Sequence, residues 1–149
     1  MPPSLLSADT PLIVFAQESL SLLRLSAAIF VLVISIVPVH AGDPVAGAAV
    51  FKKCTPCHAI GPGAGTKVGP ELNGVIGRHS GSVPGYNYSD ANRNSGIVWT
   101  EDVFSQYIRD PRGVVPGTKM TFPGLKSDQD VADLIAYLKT FGPNGQPIP

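Results

Sequence analysis

Apolar residues recur at helical spacing in three segments of this chain. The spacing predicts helices over residues 44–53, 100–109 and 127–141. The third segment is the most regular, because its apolar residues follow an i, i+3, i+4, i+7 stripe: Val131, Leu134, Ile135 and Leu138. The sequence shows no repeat and no strong strand alternation, so it predicts an all-α fold.

Residues suited to helix ends flank these segments. Thr100 is a candidate N-cap of the second helix, and Pro111 limits how far that helix can continue. Ser127 and Asp130 form an approximate capping box for the third helix. The Gly-Pro pair at residues 142–143 ends it.

Long loops rich in glycine and proline separate the helices, over residues 60–86 and 111–126. Structureless loops longer than about 12–15 residues are uncommon in a compact domain. Three short helices with such loops bury too little apolar surface for a domain of this size. An embedded apolar cofactor would supply the missing core.

The N-terminal region predicts an export signal. Residues 25–41 contain no Asp, Glu, Lys or Arg, and Arg24 precedes them. We expect a signal peptide that is cleaved between Ala41 and Gly42. An uncleaved membrane anchor is the alternative, although Pro38 interrupts the apolar run before it reaches the roughly 20 residues of a spanning helix.

The first 23 residues fit such a leader poorly. They carry Asp9 and Glu18 but no Lys or Arg, whereas a signal peptide begins with a positive region. We interpret residues 1–23 as a mis-assigned extension upstream of the true translation start. The chain is thus divided into a leader, residues 1–41, and one folded domain, residues 42–149.

The balance of charge limits the partners of the chain. Lys and Arg together number 11, Asp and Glu also number 11, and 15% of the residues are charged. No large basic field of the kind that binds nucleic acid is present in the sequence. We therefore expect no nucleic-acid partner.

The most specific chemical signal is the stretch "CTPCH". Cys54, Cys57 and His58 spell the C-x-x-C-H sequence of c-type haem attachment. Two thiols on one helical turn can each add to a vinyl group of the same porphyrin, and the histidine behind them is then placed to bind the iron axially. We expect one covalent haem c, attached through Cys54 and Cys57.

Other uses of two cysteines explain this stretch less well. A disulfide is permitted in an oxidising compartment, but it explains neither His58 nor the missing core. A thioredoxin-like site expects a βαβ context, which the sequence lacks. A structural zinc site usually needs four ligands, and only His79 remains as a further Cys or His in residues 42–149.

Met120 and His79 are the candidates for the second axial ligand. Met120 is the only methionine of residues 42–149. A lone methionine usually fills a core, but the rigid, polar loop "PGTKMTFPG" suits a ligand better. A thioether ligand also raises the reduction potential of the iron. His79 lies in a glycine-rich stretch that is more typical of a solvated histidine, so we favour Met120.

The order and spacing of these motifs resemble class I cytochrome c, of the mitochondrial type and its soluble bacterial relatives. The resemblance covers residues 42 to about 142 and is carried by "CTPCH", "KVGPELNGVIGR", "PGYNYSDANRNSGIVW", "YIRDP", "PGTKMTFPG" and "DLIAYLKTFG". It implies short helices and loops wrapped around one haem. It also implies that His58 and Met120 ligate the iron on opposite faces.

The resemblance further implies which residues contact the haem. The carbonyl of Pro70 would accept the second ring proton of His58 and so fix the ring. Three residues would hydrogen-bond a buried haem propionate: Arg78, Tyr88 and Trp99. Three others would form a polar network beside Met120: Asn92, Tyr107 and Thr118.

Two protein ligands would leave the iron no open site, so we expect an electron carrier and not an enzyme. The resemblance implies a soluble periplasmic monomer that shuttles electrons between a quinol-oxidising cytochrome complex in the membrane and an oxidase or photosynthetic reaction centre. The alternatives are a membrane-tethered redox subunit and a gas-binding or enzymatic haem protein with an open sixth site. Six basic residues near the expected haem edge would steer acidic partners: Lys52, Lys53, Lys67, Arg112, Lys119 and Lys126.

Overall fold

The computed structural model describes residues 41–148. Five helices occur in this range: α1 (Pro44–Phe51), α2 (Asp90–Arg93), α3 (Glu101–Arg109), α4 (Pro111–Val114) and α5 (Asp128–Leu138). The predicted all-α class is confirmed, since extended pairing in the described range consists of two isolated bridges. The predicted leader lies outside the described residues except for Ala41.

The first two predicted helices are present as α1 and α3. α3 occupies the predicted segment, and the Thr100 hydroxyl caps it by accepting from the Val103 N–H at 3.3 Å. α1 ends at Phe51, two residues before the predicted end. Residues 52–57 continue as turns, and these turns contain both cysteines.

The third predicted helix is α5, which begins as expected and ends three residues early. The Ser127 hydroxyl accepts from the Asp130 N–H at 3.2 Å, which is one half of the predicted capping box. The Asp130 carboxylate pairs instead with Lys53, at 2.8 Å. After Leu138 the backbone bonds tighten to i→i−3 turns, so Phe141 lies outside the helix.

Two single-turn helices were not predicted. α2 and α4 have four residues each, too few to show an apolar period. Both are capped by side chains: Ser89 accepts from the Asn92 N–H at 3.1 Å, and Asp110 from the Gly113 N–H at 3.0 Å. Pro111, which ends α3, also occupies the first position of α4, where a missing N–H costs nothing.

α1 packs directly across α5. Gly47 is buried at the crossing, where an added Cβ would overlap the Asp133 carbonyl oxygen. The buried Asp133 carboxylate accepts from the Asp43 N–H at 2.7 Å, which ties the start of α1 to α5. The rings of Phe51 and Tyr137, 5.3 Å apart, extend the contact to the other end of α1.

The buried core surrounds a cavity. Twelve buried apolar residues form one cluster, drawn from α1, α3, α5 and the loops between them. Eight of the twelve line the cavity: Phe51, Val75, Trp99, Phe104, Tyr107, Ile108, Leu134 and Leu138. The apolar contacts that the sequence left unaccounted for are therefore missing at this cavity, which the core residues surround. Within residues 41–148, no helix has the length and apolar character needed to span a membrane.

Candidate functional site

One cavity brings together the residues singled out in the sequence. Its volume is about 350 Å³, within the range of about 300–1,000 Å³ for ligand pockets. All eleven candidate haem-binding residues line it: Cys54, Cys57, His58, Pro70, Arg78, Tyr88, Asn92, Trp99, Tyr107, Thr118 and Met120. His79, the rival axial ligand, is exposed and lies outside this lining.

The two cysteines and the histidine lie on a turn that directly follows α1. The N–H groups of Cys57 and His58 both donate to the Cys54 carbonyl, at 3.0 and 2.9 Å. The Cys54 N–H in turn donates to the Phe51 carbonyl at 2.8 Å. These bonds hold two thiols and one imidazole on a single turn at the wall of the cavity.

The thiols of this turn differ in their surroundings. Burial raises the pKa of the Cys54 thiol to about 11, although the nearby Lys53 ammonium acts in the opposite direction. Cys57 is exposed. The two sulfur atoms are not joined in a disulfide, so both are available for thioether bonds.

The His58 ring is oriented by a backbone carbonyl. Its Nδ1 lies 2.7 Å from the Pro70 carbonyl oxygen. Because a carbonyl can only accept, Nδ1 carries the hydrogen and Nε2 keeps its lone pair. Burial lowers the pKa of His58, and the hydrogen bond to Pro70 offsets only part of that effect. A neutral imidazole with Nε2 available is the form that binds metal.

Gly69 leaves room for the His58 ring because it has no side chain. The Gly69 N–H donates to the Cys57 carbonyl at 2.8 Å, which draws the loop against the cysteine turn. A Cβ on this glycine would lie 2.7 Å from Nδ1 of His58. Only a residue without a side chain allows the backbone to approach the imidazole so closely. Nothing in the spacing of the sequence predicts this contact.

A polar network holds Met120, which lies on the loop that follows α4. The Tyr107 hydroxyl donates to the Met120 sulfur at 3.3 Å. The Thr118 hydroxyl accepts from the Met120 N–H at 3.3 Å and donates to the Asn92 side-chain oxygen at 2.8 Å. Burial raises the pKa of Tyr107, against the hydrogen bonds from Thr118 and Asn92, so its hydroxyl stays protonated and able to donate.

Ser89 extends this network and was missed by the sequence analysis. Its hydroxyl donates to the Asn92 side-chain oxygen at 2.9 Å and also caps α2. The signal that could have revealed it is a serine three residues before Asn92, the spacing of an N-cap.

Arg78 lies at the cavity wall with its guanidinium bound to a neighbouring loop. It donates to the Glu71 carboxylate at 2.7 Å, to the Asn73 carbonyl at 2.8 Å and to the Glu71 carbonyl at 2.8 Å. Its own backbone carbonyl accepts from the Trp99 N–H at 2.9 Å. Glu71 is not among the residues that the sequence predicts for the site.

The two aromatic candidates for propionate binding also lie at this wall. Trp99 is buried, and its ring lies 4.6 Å from that of Tyr107. Tyr88 is partly buried, which raises its pKa. Arg78, Tyr88 and Trp99 thus line one cavity, and their binding of a haem propionate stays a prediction.

Two residues of the predicted basic cluster lie at the cavity. Lys53 and Lys119 line it. The Lys119 ammonium donates to the Asn87 carbonyl at 2.8 Å, and the Lys67 ammonium donates to the Thr55 carbonyl at 3.0 Å. Steering by these charges stays a prediction.

The donor groups fit a haem of the c type. Two thiols on one turn, an imidazole with an available Nε2 and a thioether line a cavity whose remaining walls are mostly apolar. A helical domain built around such a cavity defines the class of c-type haem proteins.

The chain belongs to the cytochrome c family. The family model described as Cytochrome c matches residues 44–142. Membership in this family, with the Cys54 and Cys57 pair, gives the chain one covalently attached haem c.

Individual relatives match over nearly their whole length. The chain is 57% identical over 122 residues to cytochrome c2 of Blastochloris viridis, covering 82% of this chain and 96% of the relative. It is 55% identical over 105 residues to cytochrome c-550 of Nitrobacter winogradskyi, covering 70% and 96%. The solved structure of cytochrome c2 from Rhodospirillum centenum matches with a TM-score of 0.65 and 41% identity, covering 68% of this chain and 100% of that one.

Proposed function

We propose that this chain is a one-electron carrier in which His58 and Met120 are the axial ligands of the covalent haem. The observation that carries the proposal is that both donors line the same cavity as the two thiols. Each donor side chain also has a hydrogen-bonding partner of its own, the Pro70 carbonyl for His58 and the Tyr107 hydroxyl for Met120. With His58 and Met120 as its two protein ligands, a bound haem would have no position open to a substrate, so one-electron exchange is the chemistry that it would supply.

The surrounding residues keep the two ligands in place when the oxidation state changes. When bound, the haem supplies a one-electron iron couple. Pro70 fixes the orientation of the His58 ring, and Thr118 fixes the backbone at Met120. The Tyr107 hydroxyl donates to the Met120 sulfur, which would withdraw electron density from a thioether ligand and so favour the ferrous form. Fixed ligands keep the reorganisation that accompanies each electron transfer small.

We place this function in the periplasm, in a monomer of residues 42–149 from which the leader has been removed. The proposed donor is a quinol-oxidising cytochrome complex of the membrane, and the proposed acceptor is an oxidase or a photosynthetic reaction centre. The similarity to proteins named cytochrome c2 and cytochrome c-550 supports this role. Lys53 and Lys119, which line the cavity, support docking to acidic surfaces.

Electron transfer with isolated complexes tests the proposal. The haem-loaded domain is expected to be reduced by a quinol only when a quinol-oxidising complex is present, and to be reoxidised by an oxidase or reaction centre. The rates should fall when ionic strength rises from about 0.01 to about 0.1 M, because salt shortens the range of electrostatic attraction. Failure of both half-reactions would contradict the carrier function.

The location is tested separately. Secreted protein is expected in the periplasmic fraction with Gly42 as its first residue. Recovery in the membrane fraction with the leader retained would favour a tethered redox subunit.

A further inference from the structure

The ion pair between Glu71 and Arg78 differs from the other ion pairs of the described domain. Both side chains are only 19% exposed. In the other four pairs at least one partner is 51% exposed or more. Arg78 lines the central cavity, whereas Glu71, its partner in the pair, does not.

The geometry of the pair is fixed from both sides. One Glu71 oxygen accepts from Arg78 at 2.7 Å, and the other accepts from the Asn73 N–H at 2.6 Å. The buried Asn73 side chain is itself bonded to Gly61, through its oxygen at 2.8 Å and its nitrogen at 3.2 Å. The Glu71 carboxylate therefore belongs to a loop whose conformation is held by several separate hydrogen bonds.

Stability alone does not account for such a pair. Withdrawing two charges from water costs several kcal/mol per ion, and apolar replacements of buried pairs are often neutral or stabilising. A half-buried pair beside a cofactor cavity is therefore better explained by an effect on the cofactor. Three of the five Arg78 N–H donors are used by Glu71 and Asn73, so the carboxylate also restricts how the cation faces the cavity.

We propose that Glu71 is a positioning residue that sets the reduction potential of the haem by holding Arg78 and offsetting its charge. This inference rests on the carrier function proposed above. An uncompensated guanidinium at the cavity wall would favour the ferrous form, which carries one positive charge less than the ferric form. Glu71 cancels most of that field, because the two charges are in contact and the pair is nearly neutral. The pair thus keeps the potential lower than Arg78 alone would make it.

Redox titration of haem-loaded Glu71→Gln tests this inference. Glutamine keeps the size of the side chain and can still accept from Arg78, but it lacks the negative charge. We expect the ferrous-to-ferric ratio at a fixed ambient potential to rise by about threefold to tenfold, equivalent to roughly 28–59 mV for a one-electron couple.

Two further variants separate charge from loop structure. Glu101→Gln is the matched control, because Glu101 is also ion-paired, but its partner Lys139 does not line the cavity, whereas Arg78 does. We expect a change below about twofold. The double variant Glu71→Gln/Arg78→Gln makes the pair neutral again. Its ferrous-to-ferric ratio is expected to fall below that of Glu71→Gln, because the cation that the single variant leaves uncompensated is gone.

Two results would overturn the inference. One is a potential of Glu71→Gln that does not exceed that of Glu101→Gln. The other is a double variant that keeps the full shift of the single one, which would assign the effect to disruption of the loop. Failure of the carrier function would appear differently, as a high-spin spectrum or carbon monoxide binding in the unmutated protein.

Discussion

At the residue scale, the His58 site depends on the absence of a side chain at Gly69. The imidazole is held between the Pro70 carbonyl and the backbone of Gly69, with little space around the ring. The same loop is bonded to the carbonyl of Cys57, so it cannot withdraw without disturbing the cysteine turn.

Gly69→Ala is expected to displace the His58 ring and to destabilise the haem-loaded protein. The added Cβ would lie within 2.7 Å of the ring nitrogen Nδ1. Overpacking of this kind costs about 1–3 kcal/mol, measurable by chemical unfolding and visible as a weakened low-spin spectrum. Gly65→Ala is the control, since a Cβ there meets nothing within 4 Å. Equal stability of the two variants would refute this account of Gly69.

At this scale, the sequence predicts the residues whose chemistry suits a cofactor. The stretch "CTPCH" indicates haem attachment because two thiols and an imidazole at that spacing suit one cofactor. Glu71 and Gly69 were not predicted, because their roles depend on contacts between loops. A lone charge or a lone glycine in a loop has no periodic signal, and the partner becomes visible only when the chain path is known.

At the element scale, the domain depends on the crossing of α1 and α5. The two helices stand at opposite ends of the described chain, and Gly47 allows their backbones to approach. In an exposed helix, replacing a glycine by alanine would stabilise the helix by about 1 kcal/mol.

Gly47→Ala is expected to destabilise the protein in spite of that helix preference. The new Cβ would overlap the Asp133 carbonyl and lie 2.7 Å from Cβ of Tyr137. The net loss should be about 1–3 kcal/mol in the free energy of unfolding. Ala49→Gly, at an exposed position of the same helix, should cost only about 1 kcal/mol. A gain in stability from Gly47→Ala would show that the crossing is not tight.

The ends of the helices show why pattern predicts elements only in part. α3 was predicted within its bounds because a capping threonine and a proline mark its two ends. α5 was predicted three residues too long because its apolar period continues to Phe141, whereas the backbone has already tightened into turns. α2 and α4 are held by single caps and by tertiary contacts, which a periodicity cannot reveal.

At the scale of the whole molecule, the core is built around the cavity that the haem is expected to occupy. Most of the buried apolar cluster also lines the cavity, so the walls have few partners without the cofactor. The sequence predicted this deficit from its long loops, although it could not show where the cavity would lie.

Removal of the haem is expected to abolish cooperative folding. In Cys54→Ser/Cys57→Ser the covalent attachment is lost, and side chains such as Leu134 and Phe104 face an empty cavity. Thermal unfolding followed by circular dichroism should then lack the sharp transition of the haem-loaded protein. A transition that remains at the original temperature would mean that the polypeptide alone forms the core.

The pair of ligands, His58 and Met120, is tested most directly by absorption spectroscopy of the haem-loaded protein. We expect sharp low-spin c-type bands and a weak near-infrared sulfur-to-iron band that Met120→Ala removes and His79→Ala retains. Carbon monoxide should leave the reduced, unmutated protein unchanged at neutral pH. A high-spin spectrum, or ready binding of carbon monoxide, would contradict the electron-carrier account and indicate an open sixth position.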